Sequence, residues 1–239
     1  MKTKYAWRPD IPDARDYRFE KTIKRLPRKV DMRHLCTRIE NQRTLGSCTA
    51  NAIAGAMEFL YPLVNISRLF IYYNERDMIG TISEDSGAYI RDGIKSCAKI
   101  GACNEKLWPY RIARFKNKPT KRCFKDAENR KIVEYRRCEG LDLTLAALAE
   151  GYPVIFGFSV YESFESATVA RTGIMPYPKS GEELLGGHAV LAVGYDLATE
   201  RLIVRNSWGA QWGKKGYFYM PFKVVDNRNM SDDFWMIKR

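Results

Sequence analysis

The sequence is poor in the residues and segments that several common protein functions require. It contains only two histidines in 239 residues, and no Cys-x-x-Cys pair or Cys/His cluster that would indicate a metal site. No apolar run approaches the ~18 residues of a membrane span, and the charged N-terminus lacks the apolar segment of a secretory signal. We therefore expect no metal, no cofactor and no membrane span. The default location is cytoplasmic, with export by another route left open.

Six cysteines are present, and all of them lie before residue 139. If Cys48 is set aside for the reasons given below, an odd number remains, which cannot form a closed disulfide framework. Cys97 with Cys103, or Cys123 with Cys138, stays open as a single bridge. This distribution favours a reducing compartment.

Lysine and arginine outnumber aspartate and glutamate, which gives a formal net charge of +12. Such a surface can attract nucleic acid or an anionic membrane, so a basic binding module is the competing functional hypothesis. No specific nucleic-acid motif is recognisable, however, and aromatic residues do not interleave with the basic ones as stacking platforms. The two basic clusters comprise Lys21, Lys24, Arg25, Arg28 and Lys29, and Arg111, Arg114, Lys116, Lys118, Lys121, Arg122 and Lys125.

Cys48 stands directly in front of an amphipathic helical pattern. Apolar residues follow it at the i, i+3, i+4, i+7 spacing, which predicts a helix over residues 49–61. Gly46 and Ser47 supply a tight turn and a capping hydroxyl at its start. A thiol at a helix N-terminus lies at the positive end of the helix dipole, which favours the reactive thiolate. The alternative is that Cys48 is a small buried hydrophobic residue, the commoner role of a lone cysteine.

His188 begins a predicted strand just after two glycines, which leave room beside the ring for a ligand. His34 has no such setting. A second predicted strand, over residues 201–205, ends at Asn206, whose carboxamide can accept a hydrogen bond from one imidazole nitrogen. The other nitrogen then faces a thiol. Cys48, His188 and Asn206 thus supply a nucleophile, a base and an orienting group in chain order.

These residues resemble the catalytic residues of the papain-like cysteine peptidases, the family that includes the cathepsins. In that family the histidine and asparagine follow the cysteine by about 130–150 residues; His188 fits this interval and Asn206 lies slightly beyond it. Gln42 stands at the spacing of the family's oxyanion-hole glutamine. The blocks that carry the resemblance are Val30-Asp31-Met32-Arg33, the stretch from Gln42 to Cys48, the stretch from Gly186 to Tyr195, and Asn206-Ser207-Trp208-Gly209.

The resemblance implies an α+β fold of two lobes with the active-site cleft between them. The helical lobe would span about residues 30–140, and a β-barrel-like lobe about residues 141–239. The implied activity is that of a cysteine peptidase, which hydrolyses peptides or proteins through a thiolate–imidazolium pair and a thioester acyl-enzyme intermediate. The implied nucleophile, base, orienting group and oxyanion donor are Cys48, His188, Asn206 and Gln42, respectively.

Six further residues are expected at the substrate by their position in the family pattern. Two beside a glycine pair would hydrogen-bond the substrate backbone as an added strand does. Three would line the pocket for the second residue before the cleaved bond, and a tryptophan would shield the asparagine hydrogen bond from water. Each is more often an ordinary core or loop residue than a ligand contact. In the same order they are Ser86 and Gly87, then Tyr89, Gly157 and Ala189, then Trp208.

Two residues beside the cysteine depart from the family pattern Cys-Gly-Ser-Cys-Trp. Leu45 replaces a cysteine that normally forms a disulfide, so that bridge cannot exist, and Thr49 replaces a tryptophan that normally packs beside the active site. These departures, with Tyr72-Tyr73-Asn74-Glu75-Arg76, resemble the compact microbial members of the family, which have no long propeptide.

Residues 1–25 form a short N-terminal extension to a peptidase domain of residues 26–239. The ordinary interpretation is a strap packed on the surface. Its aromatic and proline residues suit an extended, peptide-like segment, so we expect part of it to lie in or near the cleft and to limit access. Nothing in the sequence indicates the oligomeric state. Further predicted elements are helices over residues 67–77 and 87–97, and strands over residues 153–160, 188–194 and 216–220.

Overall fold

The structure is a computed structural model that describes residues 5–239; residues 1–4 of the N-terminal extension lie outside the described residues. The α-helices are α1 (Cys48–Leu60), α2 (Arg68–Met78), α3 (Ile90–Lys99), α4 (Lys121–Ala127), α5 (Gly140–Ala149), α6 (Ala167–Thr172) and α7 (Phe222–Val225). The β-strands are β1 (Trp7–Arg8), β2 (Lys29–Asp31), β3 (Ala88–Tyr89), β4 (Glu134–Arg137), β5 (Val154–Tyr161), β6 (Leu184–Asp196), β7 (Arg201–Arg205), β8 (Tyr217–Pro221) and β9 (Ser231–Lys238).

Helix α1 is the centre of the packing because its many alanines let neighbouring elements approach closely. It is buried from Cys48 to Glu58, with α2 and α3 on one side and β6 on the other. An ideal Cβ on Gly55 would lie 3.2 Å from the Leu191 side chain of β6, so the helix backbone rests almost directly on the sheet. This contact fixes the N-terminus of α1 close to the strand that carries His188.

An antiparallel sheet forms the other half of the molecule. Its strands follow the order β4-β9-β5-β6-β7-β8, and β2 pairs with the end of β6. Among residues 5–239 the outer strands β4 and β8 do not pair with each other, so the sheet is open and is not a closed barrel. Strands β5 and β6 are long apolar runs in the sequence, and they are buried along most of their length.

The predicted α+β class is confirmed, and most predicted elements are present with small shifts. The helices predicted over residues 49–61 and 67–77 are each displaced by one residue, and the strand over residues 201–205 has those ends. The helix predicted over residues 87–97 begins only at Ile90, because the two residues before it extend as β3. Helix α5 and strand β9 are absent from the sequence predictions.

All six cysteines are free thiols, so neither of the disulfides left open by the sequence is formed. Within residues 5–239, no helix has the length and apolar character needed to cross a membrane.

Candidate active site

Cys48 is the first residue of α1, and the turn that precedes it is held from two sides. The Gly46 N–H donates to the Asp85 carboxylate (3.0 Å). Ser47, predicted to cap the helix through its hydroxyl, instead shares a hydrogen bond with the Tyr110 hydroxyl (2.6 Å), and the helix has no side-chain cap. The cap prediction is therefore wrong, because the tyrosine hydroxyl competes for the serine oxygen.

The Cys48 thiol is surrounded by protein rather than by water. Burial raises its pKa to about 11, against hydrogen bonds from the backbone N–H groups of Ala189 and Ala6, which lower it. The thiol of this covered form is therefore protonated near neutral pH. Ala6 belongs to the N-terminal extension, so that extension reaches the sulfur itself.

His188 lies in β6 and is also fully buried. Its Nε2 is 2.9 Å from Asn206 Oδ1, and the same oxygen accepts a hydrogen bond from the Ser207 N–H (2.8 Å). Because the Ser207 N–H identifies Oδ1 as the carboxamide acceptor, Nε2 must be the protonated nitrogen of the neutral ring. Nδ1 then carries a lone pair, and it has no partner within residues 5–239. Burial lowers the pKa of His188 to about 4, so the ring is neutral as well.

Trp208 covers the pair formed by His188 and Asn206. Its ring stacks on the imidazole with centroids 5.0 Å apart and planes 29° apart, and Phe164 and Trp212 pack against it. This aromatic cover excludes water from the histidine–asparagine hydrogen bond, which strengthens that bond. Contact of Trp208 with a substrate stays a prediction.

Gln42 is buried just before α1, and both ends of its carboxamide are assigned by its partners. The Ser207 hydroxyl donates to Oε1 (2.6 Å), and Nε2 donates to the Leu45 carbonyl oxygen (3.0 Å). An amide nitrogen carries two hydrogens, so one remains for a further acceptor. Ser207 thereby positions both Gln42 and Asn206. Ser207 was not among the predicted site residues, and its one signal in the sequence is its place directly after the asparagine.

The first described residues lie on the glycines that were predicted to contact substrate. An ideal Cβ on Gly87 would be 1.9 Å from the Ala6 carbonyl oxygen, and one on Gly157 would be 1.9 Å from the Trp7 indole. Gly87 also has a φ of +71°, which disfavours any side chain. We call residues 5–8, which occupy this space, the cleft segment.

The remaining predicted substrate residues surround the cleft segment. Tyr89 pairs with Arg8 in the parallel ladder between β1 and β3. Ala189 directs its N–H at the Cys48 sulfur, and the Ser86 hydroxyl donates to the carbonyl of the next residue. The predicted set is thus brought together in one place, although no substrate contact is tested by this arrangement.

A buried charge network holds the chain just beyond the cleft segment; we call residues 10–16 the anchor segment. Asp16 accepts hydrogen bonds from Arg91 (2.9 Å) and Arg137 (3.1 Å). Asp10 lies 3.4 Å from Arg137, which also donates to the carboxylate of Asp233 (2.7 Å). The sequence did not indicate this network, because its members lie far apart in the chain.

No group of three or more histidine, cysteine, aspartate or glutamate side chains suited to a metal ion occurs in the part of the chain that the structure describes.

Comparison with known proteins places the chain in a family. A sequence model of the papain family cysteine proteases matches residues 26–235. An uncharacterized peptidase C1-like protein of Acanthamoeba polyphaga mimivirus is 46% identical over 213 residues, which cover 83% of this chain and 68% of the viral protein. A cathepsin L-like protein of Caenorhabditis elegans is 30% identical over 219 residues, covering 85% of this chain and 60% of the nematode protein.

A solved structure extends the match to nearly the whole chain. The crystal structure of xylellain, a cysteine protease from Xylella fastidiosa, matches with a TM-score of 0.92 at 42% identity, over 99% of this chain and 96% of that one. The predicted papain-like arrangement of a helical lobe and a β lobe is thereby confirmed. Sequence, fold and homology agree, and the chain belongs to the papain family of cysteine proteases.

Proposed function

We propose that this protease hydrolyses peptide bonds with Cys48 as nucleophile, His188 as base, Asn206 as the orienting group and Gln42 as an oxyanion donor. The observation that carries the proposal is the hydrogen bond from His188 Nε2 to an Asn206 oxygen whose identity is fixed by the Ser207 N–H. It leaves the lone pair on Nδ1, the nitrogen without a partner among the described residues. A base oriented in this way is what thiol activation requires.

The reaction proceeds in two steps. Nδ1 of His188 takes the thiol proton, and the Cys48 sulfur attacks the peptide carbonyl carbon to form a carbon–sulfur bond. The resulting oxyanion is held by the free Nε2 hydrogen of Gln42 and the Cys48 N–H, and loss of one such donor typically costs ~10²–10³ in kcat. The imidazolium then protonates the departing amine as the carbon–nitrogen bond breaks. Water, deprotonated by His188, hydrolyses the thioester and restores the thiol.

The cleft segment keeps this machinery latent. It covers the thiol and the imidazole, and burial moves their pKa values in opposite directions, to about 11 and about 4. Both shifts disfavour the thiolate–imidazolium pair, because a dry site penalises each charge. Departure of residues 5–8 readmits water, which lowers the thiol pKa and raises the imidazole pKa. Activation therefore requires displacement of a segment of the chain itself.

No observation supports the alternative of a basic binding module on an unused scaffold. Within residues 5–239, the side-chain hydrogen bonds of Gln42, His188 and Asn206 involve no residue of the two basic clusters. Peptide or protein substrates are the expected partners. A cytoplasmic location stays a prediction.

The test is covalent labelling of the full chain carrying Trp7→Ala, which loosens the cleft segment over Cys48, with an epoxysuccinyl inhibitor, followed by mapping of the modified residue and a peptide-cleavage assay. We expect the mass increase on Cys48, and no labelling or cleavage after Cys48→Ala. Cys36→Ala is the matched control, because Cys36 is the one cysteine that is only partly buried. Labelling of Cys36 with an unreactive Cys48, or cleavage that survives Cys48→Ala, would refute the proposal.

A further inference from the structure

The turn from Gln42 to Cys48 carries both groups proposed to hold the oxyanion, the Gln42 side chain and the Cys48 N–H. Its backbone is strained at Arg43, whose φ of +55° is a left-handed conformation that costs a residue other than glycine free energy. No covalent link fixes the turn, because Leu45 stands at the cysteine position of the family pattern and all six cysteines are free. Contacts from outside the turn therefore have to hold the two donors in place.

One side chain from a distant part of the sequence contacts this turn at two places. The Tyr110 hydroxyl donates to the backbone carbonyl oxygen of Gln42 (2.9 Å), and it lies 2.6 Å from the Ser47 hydroxyl. A hydroxyl has a single hydrogen, so Tyr110 is the acceptor in its second contact and Ser47 is the donor. Tyr110 thus joins the residue that carries one oxyanion donor to the residue just before the other.

Asn51 holds Ser47 from within α1. Its side-chain Nδ2 donates to the Ser47 hydroxyl oxygen (3.1 Å) and to the Ser47 carbonyl oxygen (2.8 Å). The Ser47 carbonyl and the Cys48 N–H belong to one planar peptide group, so a fixed carbonyl also fixes the direction of that N–H. The hydrogen bonds run in one direction, from Asn51 to Ser47 to Tyr110 and on to the carbonyl oxygen at the start of the turn. Hydrogen bonds aligned in this way strengthen one another.

The Tyr110 ring is itself held in place by an ion pair. The Tyr110 backbone N–H donates to Glu105 Oε1 (2.8 Å), and the same oxygen accepts from the buried Arg68 (3.2 Å). The Arg68 guanidinium also lies over the tyrosine ring, 4.1 Å from its centroid. Burial raises the pKa of the Tyr110 hydroxyl to about 12, so the hydroxyl stays a protonated donor near neutral pH.

We propose that Tyr110 is a positioning residue for the oxyanion site: its hydroxyl holds the backbone of Gln42 and Ser47 so that the two donors converge on one substrate oxygen. Tyr110 acts through these two neighbours and not on the substrate. The inference rests on the proposed function, because only a reaction that passes through an oxyanion uses this arrangement.

The experiment compares two reactions of Cys48 in the full chain with Trp7→Ala, which loosens the cleft segment, before and after the addition of Tyr110→Phe. Hydrolysis of a peptide amide forms an oxyanion, whereas alkylation by iodoacetamide displaces iodide from a saturated carbon and forms none. We expect kcat for the peptide to fall about tenfold, less than the ~10²–10³ that follows outright loss of a donor. KM and the alkylation rate should change by less than about twofold, because neither depends on the oxyanion donors. Equal losses in both reactions, or an unchanged kcat, would overturn the proposal.

Tyr61→Phe in the same Trp7→Ala chain is the matched control. Tyr61 also donates its hydroxyl to a backbone carbonyl oxygen, that of Lys131 (2.7 Å), but it follows the end of α1 opposite to Cys48. Each substitution removes a tyrosine hydroxyl that donates to a backbone carbonyl, so we expect both to lower the melting temperature and only Tyr110→Phe to lower kcat. An equal fall in kcat with Tyr61→Phe would show that activity follows stability, against the proposal.

A double substitution tests whether the hydroxyl acts through the oxyanion donors. Gln42→Ala removes one donor and keeps the backbone carbonyl that Tyr110 contacts. Loss of the hydroxyl should then matter less, so we expect the combined loss in kcat to fall short of the product of the two single losses by about threefold or more. Losses that multiply in full would separate Tyr110 from the oxyanion donor and refute the proposal.

A measurement without turnover distinguishes failure of this inference from failure of the proposed function. Hydrogen exchange is followed at the Asn51 backbone N–H, which donates to the Ser47 carbonyl oxygen (3.0 Å), and at N–H groups near the other end of α1. We expect Tyr110→Phe to quicken exchange at Asn51 about threefold or more and to leave the far end unchanged. No change at Asn51, or equal quickening throughout α1, overturns the inference. A Trp7→Ala chain that cleaves no peptide refutes the proposed function, and the exchange result still decides whether Tyr110 holds the turn.

Discussion

The cleft segment and the anchor segment are adjacent in the chain, yet different forces hold them. The cleft segment fits by shape, because Ala6 and Trp7 occupy space that glycines leave empty. The anchor segment is held by charge, because the Asp16 carboxylate binds both Arg91 and Arg137 in a buried network. A fit by shape depends little on pH, whereas a network of carboxylates does. The latency that we propose would therefore have one component that depends on pH and another that does not.

Of the substitutions considered, removal of the Trp7 indole should raise the labelling rate of Cys48 the most. Trp7→Ala deletes a ring that is only 9% exposed, and truncation of a buried tryptophan costs about 3–5 kcal/mol. If that cost falls on the docked state, the rate at which an epoxysuccinyl inhibitor labels Cys48 rises by about 10²–10⁴-fold. Trp7→Phe is the control: it keeps a ring but loses the donor to Asp233, and it should give a smaller increase. An unchanged labelling rate in the alanine variant would show that the cleft segment does not limit access.

Weakening the ion pairs of the anchor segment should raise the labelling rate of Cys48 by a smaller factor. Asp16→Asn removes a buried charge that accepts hydrogen bonds from both arginines of the network. Hydrogen bonds to charged groups contribute about 1.5–3 kcal/mol each, but the cleft segment keeps its own contacts, so we expect roughly a tenfold rise in labelling rate. Asp13→Asn is the matched control, because within residues 5–239 Asp13 forms its ion pair with the exposed Arg15 beside it and not with the buried arginines. An increase as large as that of Trp7→Ala would contradict the division into shape and charge.

The pH dependence of the Cys48 labelling rate should separate the contribution of the anchor segment from that of the cleft segment. Burial, and then the nearby Asp233 carboxylate, raises the pKa of Asp10 to about 7. A carboxyl with a higher pKa when docked stabilises docking fully below about pH 4, and this contribution is lost as the pH rises through 7. His188 acts oppositely: its pKa is lowered to about 4, so its contribution is full above about pH 6.5 and is lost as the pH falls through 4.

Asp10→Asn removes only the first of these opposing contributions. The ratio of labelling rates between this variant and the unchanged chain cancels the ionisation of Cys48 and His188, which both proteins share. We expect that ratio to fall severalfold between pH 4.5 and pH 8, because the unchanged chain loosens as Asp10 ionises and the variant does not. A ratio independent of pH would show that Asp10 does not titrate in the docked state.

A buried acid away from both segments should change fold stability and leave latency nearly unchanged. Glu75 of α2 accepts a hydrogen bond from Thr49 (2.8 Å), and burial raises its pKa to about 8. Its contribution to folding is full below about pH 4.5 and is lost as the pH rises through 8. Glu75→Gln should therefore match the unchanged chain near pH 5 and melt higher at pH 8, by roughly 2–4 °C for each kcal/mol. Labelling rates that change along with melting temperature would mean that docking reports global stability.

The sequence was sufficient for the residues that carry the proposed chemistry because their signals are local. In the sequence Cys48 stands before a helical period, His188 stands where an apolar run follows two glycines, and Asn206 directly follows the apolar run of β7. For the same reason the predicted ends of β7 agree with the structure and those of α1 lie within one residue of it. Gln42 was found only through the family spacing, since a surface amide and a buried one look alike in a sequence.

The remaining features depend on contacts between distant parts of the chain. The register of β1 against β3 is set by the fit of Trp7 into a pocket on another element, which no local pattern reveals. Strand β9 carries two aspartates directly after its first residue, and the second of them, Asp233, is fully buried and accepts a hydrogen bond from the Asp10 N–H of the N-terminal extension. Charged residues in a strand normally indicate exposure, so this position is hidden from an analysis of the sequence.

Gly157 and Gly187, the two glycines under Trp7, shape both the site that the cleft segment occupies and the space that we predict for a substrate side chain. A methyl group at Gly157 or Gly187 would meet the indole at less than 3 Å, so such a change would dislodge the chain's own segment while it narrowed the space offered to a substrate. The same few atoms would thus determine both the substrate preference and the fit of the cleft segment. A variant engineered for a different substrate preference would also lose the fit of the cleft segment, unless residue 7 were changed to match the altered pocket.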